Sequence, residues 1–93
     1  MIMNIRKRFR FVGTVQGVGF RWRARQAATF LHLTGWVRNE WDGSVVMEVQ
    51  GSEHAVDQIV GTIDGSGWIH IDGIESERLP VDPEEKSFKV IGY

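Results

Sequence analysis

Cysteine is absent from this 93-residue chain. That excludes a disulfide framework and thiol chemistry, and it suits a reducing compartment. Proline occurs only at Pro80 and Pro83, which mark a single loop. No apolar run approaches the ~20 residues of a membrane-spanning helix. The N-terminal stretch MIMNIRKRFRF is basic and lacks the apolar segment of a signal peptide. A charge excess is missing too: the formal net charge is -1, which provides no field for nucleic acid or an anionic membrane. The expectation is a cytoplasmic protein with neither a membrane nor a nucleic-acid partner.

What is present reads as an ordinary folded domain. Apolar residues make up 42% and charged residues 25%, and the length suits a single domain over residues 1–93 with a thin core. No internal repeat, linker or low-complexity segment interrupts it. Residues 5–13 alternate loosely and are rich in Phe and Val, which predicts a strand. From Phe20 the spacing becomes helical, with Phe20, Ala24, Ala27, Ala28 and Leu31 on one face. Gly35 is read as the stop after that helix. GWVRNEW (35–41) predicts a second strand, Asp42-Gly43 a hairpin turn, and 44–50 the partner strand. Ser52 is suited to cap a second helix, with Glu53 in its first turn and Ala55, Val56, Ile59, Val60 and Ile63 as its buried stripe. Gly65-Ser66-Gly67 breaks it. Trp68, Ile69, Ile71 and Ile74 predict a fourth strand, and Phe88, Val90 and Tyr93 a short last one.

This order, βαββαβ with a short extra C-terminal strand, predicts an α+β ferredoxin-like sandwich. Two helices pack on one face of a mainly antiparallel sheet. The first two strands then run parallel and end on the same sheet edge. If the hairpin strand lies between them, the 15–20 loop and Asn39 stand roughly 10 Å apart, from two strand spacings of ~4.8 Å. A phosphate-sized ion and an arginine side chain would bridge that gap.

The loop VQGVGFR (15–21) places Gly17 and Gly19 at the start of a helix and Arg21 just beyond. Helix N-termini leave about four N–H groups unpaired at the positive end of the dipole. Glycines let such groups turn inward and let an anion approach. Arginine adds a fork of donors matched to phosphate. Together they describe a phosphate cradle. The local pattern is equally that of a tight turn with a solvated arginine. Neither nucleotide fingerprint fits: Trp22 stands where a third Rossmann glycine would, and no Gly-Lys-Ser/Thr is present.

The string GTVQGVGFR (13–21), followed by GWVRN (35–39), resembles the acylphosphatase family. The resemblance covers residues 9–51, and many relatives carry Gly-Pro where this chain has Gly65-Ser66-Gly67. It implies that Val15, Gln16, Gly17, Val18, Gly19, Phe20 and Arg21 bind phosphate, that Arg21 is catalytic, and that Asn39 positions the attacking water. It implies the same ferredoxin-like fold. It further implies hydrolysis of a small acyl phosphate to a carboxylate and inorganic phosphate, the latter a product and competitive inhibitor. No cofactor and no metal enter this picture, and a monomer is sufficient. Glu40, directly after Asn39, stands where relatives often carry a neutral residue. Turned inward, its carboxylate would repel an anionic substrate.

Arg21 and Asn39 suit that chemistry. Neither is a credible general base or nucleophile, so a bond with a poor leaving group is out of reach. An acyl phosphate releases a carboxylate whose acid has a pKa near ~4 and needs no general acid. Phosphoryl transfer is largely positioning and charge stabilisation. The resemblance implies that the water's proton passes to a phosphate oxygen. The dispersed His32, His54 and His70 form no metal set, and no carboxylate cluster has a metal-loop spacing. Asp42 and Asp72 precede glycines, as turn residues do. Trp36, Trp41 and Trp68 read as core or sheet-face aromatics, while Trp22 either borders the site or packs beneath the loop.

Two rivals remain at this point. A non-catalytic anion-binding module is compatible with the fold, but it has no evident use for a water-aiming asparagine. The basic run Arg6, Lys7, Arg8 and Arg10, with Phe9 and Phe11, faintly suggests an RNA-binding sheet. Alternation puts Arg6, Arg8 and Arg10 on the face opposite the phenylalanines, which favours a solvated or salt-bridged surface.

Overall fold

A computed structural model of the chain describes residues 3–92. Tyr93, expected in the last strand, lies outside the described residues. The elements run β1 (Asn4–Thr14), α1 (Phe20–Phe30), β2 (Thr34–Asn39), β3 (Val45–Ser52), α2 (Glu53–Ile63), β4 (His70–Leu79) and β5 (Phe88–Ile91). They build one five-stranded sheet of order β4-β1-β3-β2-β5. Every pairing is antiparallel except β2 with β5. Strands β1 and β2 flank β3 and run parallel, so their C-terminal ends share one edge. This is the ferredoxin-like α+β sandwich predicted above.

Alternation along the strands sorts the two faces. Ile5, Phe9 and Phe11 of β1 join Val45, Met47 and Val49 of β3 beneath the helices. Helix α1 adds Phe20, Ala24, Ala27 and Ala28, and α2 adds Ala55, Val56, Ile59 and Ile63. Leu31 and Val60, expected in these stripes, are half-buried at the core margin. Ser52 caps α2 as read, its hydroxyl accepting from the Ala55 amide at 3.2 Å.

The arginines of β1 occupy the opposite face, in ion pairs. Arg6 is only 6% exposed. It donates to Glu48, to Gln50, and through two nitrogens to Glu85. The Glu85 hydrogen bonds, reinforced by Glu48 and opposed by burial, raise its pKa further above the ordinary arginine value. Arg8 pairs with Glu48, and Arg10 with Asp42 and Glu75.

Several boundaries differ from the sequence reading. Gly35 does not stop α1. The helix closes three residues earlier, through Leu33 N–H to the Ala28 carbonyl (2.8 Å) and His32 N–H to Thr29 (3.2 Å). His32 takes the left-handed conformation, φ 58°, where glycine is usual. Gly35 lies within β2, and there a Cβ would sit 1.8 Å from the Glu48 carbonyl oxygen. Strand β2 ends at Asn39, so Trp41 falls in the turn and is 98% exposed. Trp68, in the turn before β4, is 84% exposed. Neither is a core or sheet-face aromatic. Trp36 is half-buried on the open sheet face, with the Arg38 guanidinium 4.9 Å from its ring centre. Asp72 lies inside β4, next to the register shift opposite Val12 and Gly13, and is not a turn residue.

Candidate active site

The site forms where β1 and β2 both end. After Thr14 the chain turns through residues 15–19 into α1. Gly17 and Gly19 hold φ of 73° and 81°, a conformation that costs other residues about 1–2 kcal/mol. A Cβ at either position would meet nothing within 4 Å, so backbone conformation and not crowding calls for glycine. Gly19 is the N-cap of α1. It makes no side-chain cap bond, and no acidic residue occupies the first turn. Arg21 instead stands in the first turn, at the positive end of the helix dipole, with Arg25 one turn further on, an arrangement that an anion seated there would relieve. Arg23 turns aside to bond the Ser66 hydroxyl.

Gly17, Gly19, Arg21, Trp22, Arg25 and Asn39 line one open cleft of about 410 Å³. Arg21 and Asn39 also line an adjoining cleft of about 300 Å³, with Gln16, Arg38, Glu40 and Trp41. Both arise from the strand order, which brings the end of β5 beside β2. Arg21 Nη1 donates to the Ile91 carbonyl at 3.2 Å, and Gly92 borders both clefts.

The remaining loop residues behave differently from one another. Val15 and Phe20 line the larger cleft, but both are buried in the core, so their contribution falls to the backbone. Val18 packs against the core and borders neither cleft. The Gln16 side chain donates to the carbonyls of Glu40 and Ser44 and fastens the loop to the β2–β3 turn. Its side-chain donors are thereby used, so its main chain is what remains to donate to an anion. Glu40 accepts from Arg38 Nε at 3.0 Å, so its charge is paired within the smaller cleft.

The turn beyond Glu40 is built as its sequence suggests. Asp42 accepts from the Ser44 hydroxyl and amide and from Arg10. The Ser44 hydroxyl most of all, then Arg10, holds the Asp42 carboxyl well below the usual carboxylate range. Among the described residues no three His, Asp or Glu side chains are grouped to hold a metal ion. No described helix is long and apolar enough to cross a membrane.

Arg25, Arg38, Ile91 and Gly92 border the site but were not singled out from sequence. The four-residue step from Arg21 to Arg25 on one helix face was the available signal for Arg25. Nothing local marks the β5 residues, because a parallel pairing across 53 positions is invisible in the chain.

Comparison with known proteins follows the same lines. The acylphosphatase family model matches residues 7–90. An acylphosphatase of Geobacillus thermodenitrificans is 42% identical over 80 residues, 85% of each chain. One from Clostridium perfringens is 42% identical over 85 residues, 90% of this chain and 96% of its own. The crystal structure of acylphosphatase from Bacillus subtilis superposes with a TM-score of 0.87 at 27% identity, covering 95% of this chain and 99% of that one.

Proposed function

The chain belongs to the acylphosphatase family of enzymes, and on that premise we propose that it hydrolyses the carboxyl–phosphate bond of small acyl phosphates through Arg21 and Asn39. The observation that carries this reading is that both side chains border the cleft of Gly17 and Gly19, although they come from different elements. The cradle amides of residues 15–20 and the Arg21 guanidinium hold the phosphoryl oxygens. The Asn39 carboxamide accepts a hydrogen bond from water and aims it at phosphorus. The water oxygen bonds to phosphorus as the phosphorus–oxygen bond to the acyl group breaks. The electron pair leaves on a carboxylate, and the water's proton passes to a phosphate oxygen. The leaving group needs no acid, so Arg21 and Asn39, neither of them a general acid or base, are adequate.

Inorganic phosphate, as the product, competes for the same cradle. No second chain is needed to complete the site, and the cysteine-free composition suits a cytoplasmic setting. The test is hydrolysis of acetyl phosphate, with a chelator present, by the wild type, Arg21→Ala and Asn39→Ala. Arginine contacts to a transferring phosphoryl group contribute about 10³- to 10⁵-fold, so Arg21→Ala should nearly abolish turnover. An inactive wild type, or an Arg21→Ala variant that keeps most of its activity, overturns the reading. A non-catalytic anion-binding module would bind phosphate but turn over nothing.

A further inference from the structure

We propose that Arg38 is a positioning residue that holds the Glu40 carboxylate off Arg21, so that this one ion pair sets how strongly the site takes up phosphate. The role rests on the reading above, in which Arg21 and the loop amides hold the phosphoryl group. Glu40 follows Asn39 directly, and its main chain is fixed. Its amide donates to the Ser44 carbonyl at 2.9 Å. Its carbonyl accepts from the Gly43 amide at 3.2 Å and from the Gln16 side chain at 2.7 Å. With the backbone so held, the carboxylate is redirected by its own side-chain torsions.

Glu40 stands between two clefts. One is the smaller cleft of the site, which it shares with Arg21, Arg38 and Asn39. The other lies on the open sheet face, with Arg8, Arg10 and Asp42. The cations of the open face are engaged elsewhere. Arg10 bonds Asp42 and Glu75, and Arg8 lies 3.8 Å from Glu48. Asp42 adds a like charge on that side. Glu40 pairs instead with Arg38, whose Nε donates to Oε1 at 3.0 Å. Arg38 is in turn held by the Trp36 ring, 4.9 Å from its guanidinium, on the same face of β2. Without Arg38, the cation that shares the smaller cleft with Glu40 is Arg21. A carboxylate drawn to that guanidinium occupies the donors that phosphate needs and repels the phosphate charge. Glu40 then becomes an internal competitor.

The test measures inorganic phosphate binding by calorimetry and KM for acetyl phosphate in wild type, Arg38→Met, Glu40→Gln and the double variant. Arg38→Met should weaken phosphate binding and raise KM roughly 5- to 30-fold, with kcat changed less. In the Glu40→Gln background the same substitution should cost less than about threefold. Arg38→Lys, which keeps the cation, should retain most of the affinity. Equal losses in the two backgrounds overturn the proposal, because Arg38 then acts through its own charge. Unchanged phosphate binding in Arg38→Met overturns it too, since the carboxylate then never reaches Arg21. If the variants follow the expected pattern in phosphate binding while the wild type hydrolyses nothing, the ion pair's role stands and the hydrolase reading fails. A wild type that binds no phosphate overturns both.

Discussion

The carboxamide nitrogen of Gln16 donates to the carbonyl of Glu40 over 2.7 Å. A second bond, 2.8 Å to the Ser44 carbonyl, uses the same nitrogen. The glycine loop is thereby fixed to the turn that begins one residue after Asn39. The glycine loop and Asn39, the two parts of the proposed site, come from different segments of the chain, and this clamp ties them together.

Gln16→Leu should therefore misalign the site while the fold persists. Two lost hydrogen bonds cost about 1–3 kcal/mol. A displacement near 1 Å can cost up to about 100-fold in rate, so we expect kcat to fall roughly 10- to 100-fold with less change in phosphate inhibition. Steady-state kinetics and a denaturant midpoint on the same variant separate the two effects. A full-rate variant would show that the clamp has no role in alignment.

At the other end of α1, His32 holds a left-handed conformation that disfavours a β-carbon. Its side chain is exposed, so little packing is lost on removal. His32→Gly should stabilise the protein by about 0.5–1 kcal/mol after the added freedom of the unfolded chain is counted. For a domain of this size that raises Tm by about 2–8 °C. A lower Tm would mean that the imidazole makes a contribution larger than the strain.

Arg6 is the hub of the open sheet face. Its removal leaves Glu48 and Glu85, each only 13–14% exposed, without their shared cation. Arg6→Ala should cost about 2–4 kcal/mol, slightly under the ~3–5 kcal/mol of a fully buried pair. Urea denaturation measures it. Restoring less than half of the loss in the double variant Arg6→Ala with Glu85→Gln would argue against an unpaired Glu85 carboxylate as the main cause.

Asp42 gives a pH dependence of definite sign. Its folded pKa lies below the unfolded value of 3.8, held down first by the Ser44 hydroxyl and then by Arg10. The stability it contributes is complete above that unfolded value and is lost as pH falls through it toward the folded one. The gap in urea midpoint between wild type and Asp42→Asn should be constant from pH 7 to about pH 5 and should close below about pH 4. A gap that widened on acidification would reverse the sign and refute the assignment.

The amino-acid order by itself determined the element sequence, because burial follows period. Phe9 and Phe11 against Arg8 and Arg10 impose a two-residue alternation, and Phe20 to Ala28 a helical one. It also marked the loop glycines and Arg21 by residue type and spacing, and Asn39 through the resemblance of GWVRN to a family motif. Strand ends were less legible. Trp41 and Trp68 look like sheet residues by type but stand exposed in turns, because turn geometry and not hydrophobicity ended those strands. Only the tertiary structure decided what meets at the site. The parallel pairing of β2 with β5 brings Ile91 to Arg21, and the strand order brings Gln16 to Glu40. Such contacts depend on which edges close together in space, and local sequence carries no record of that.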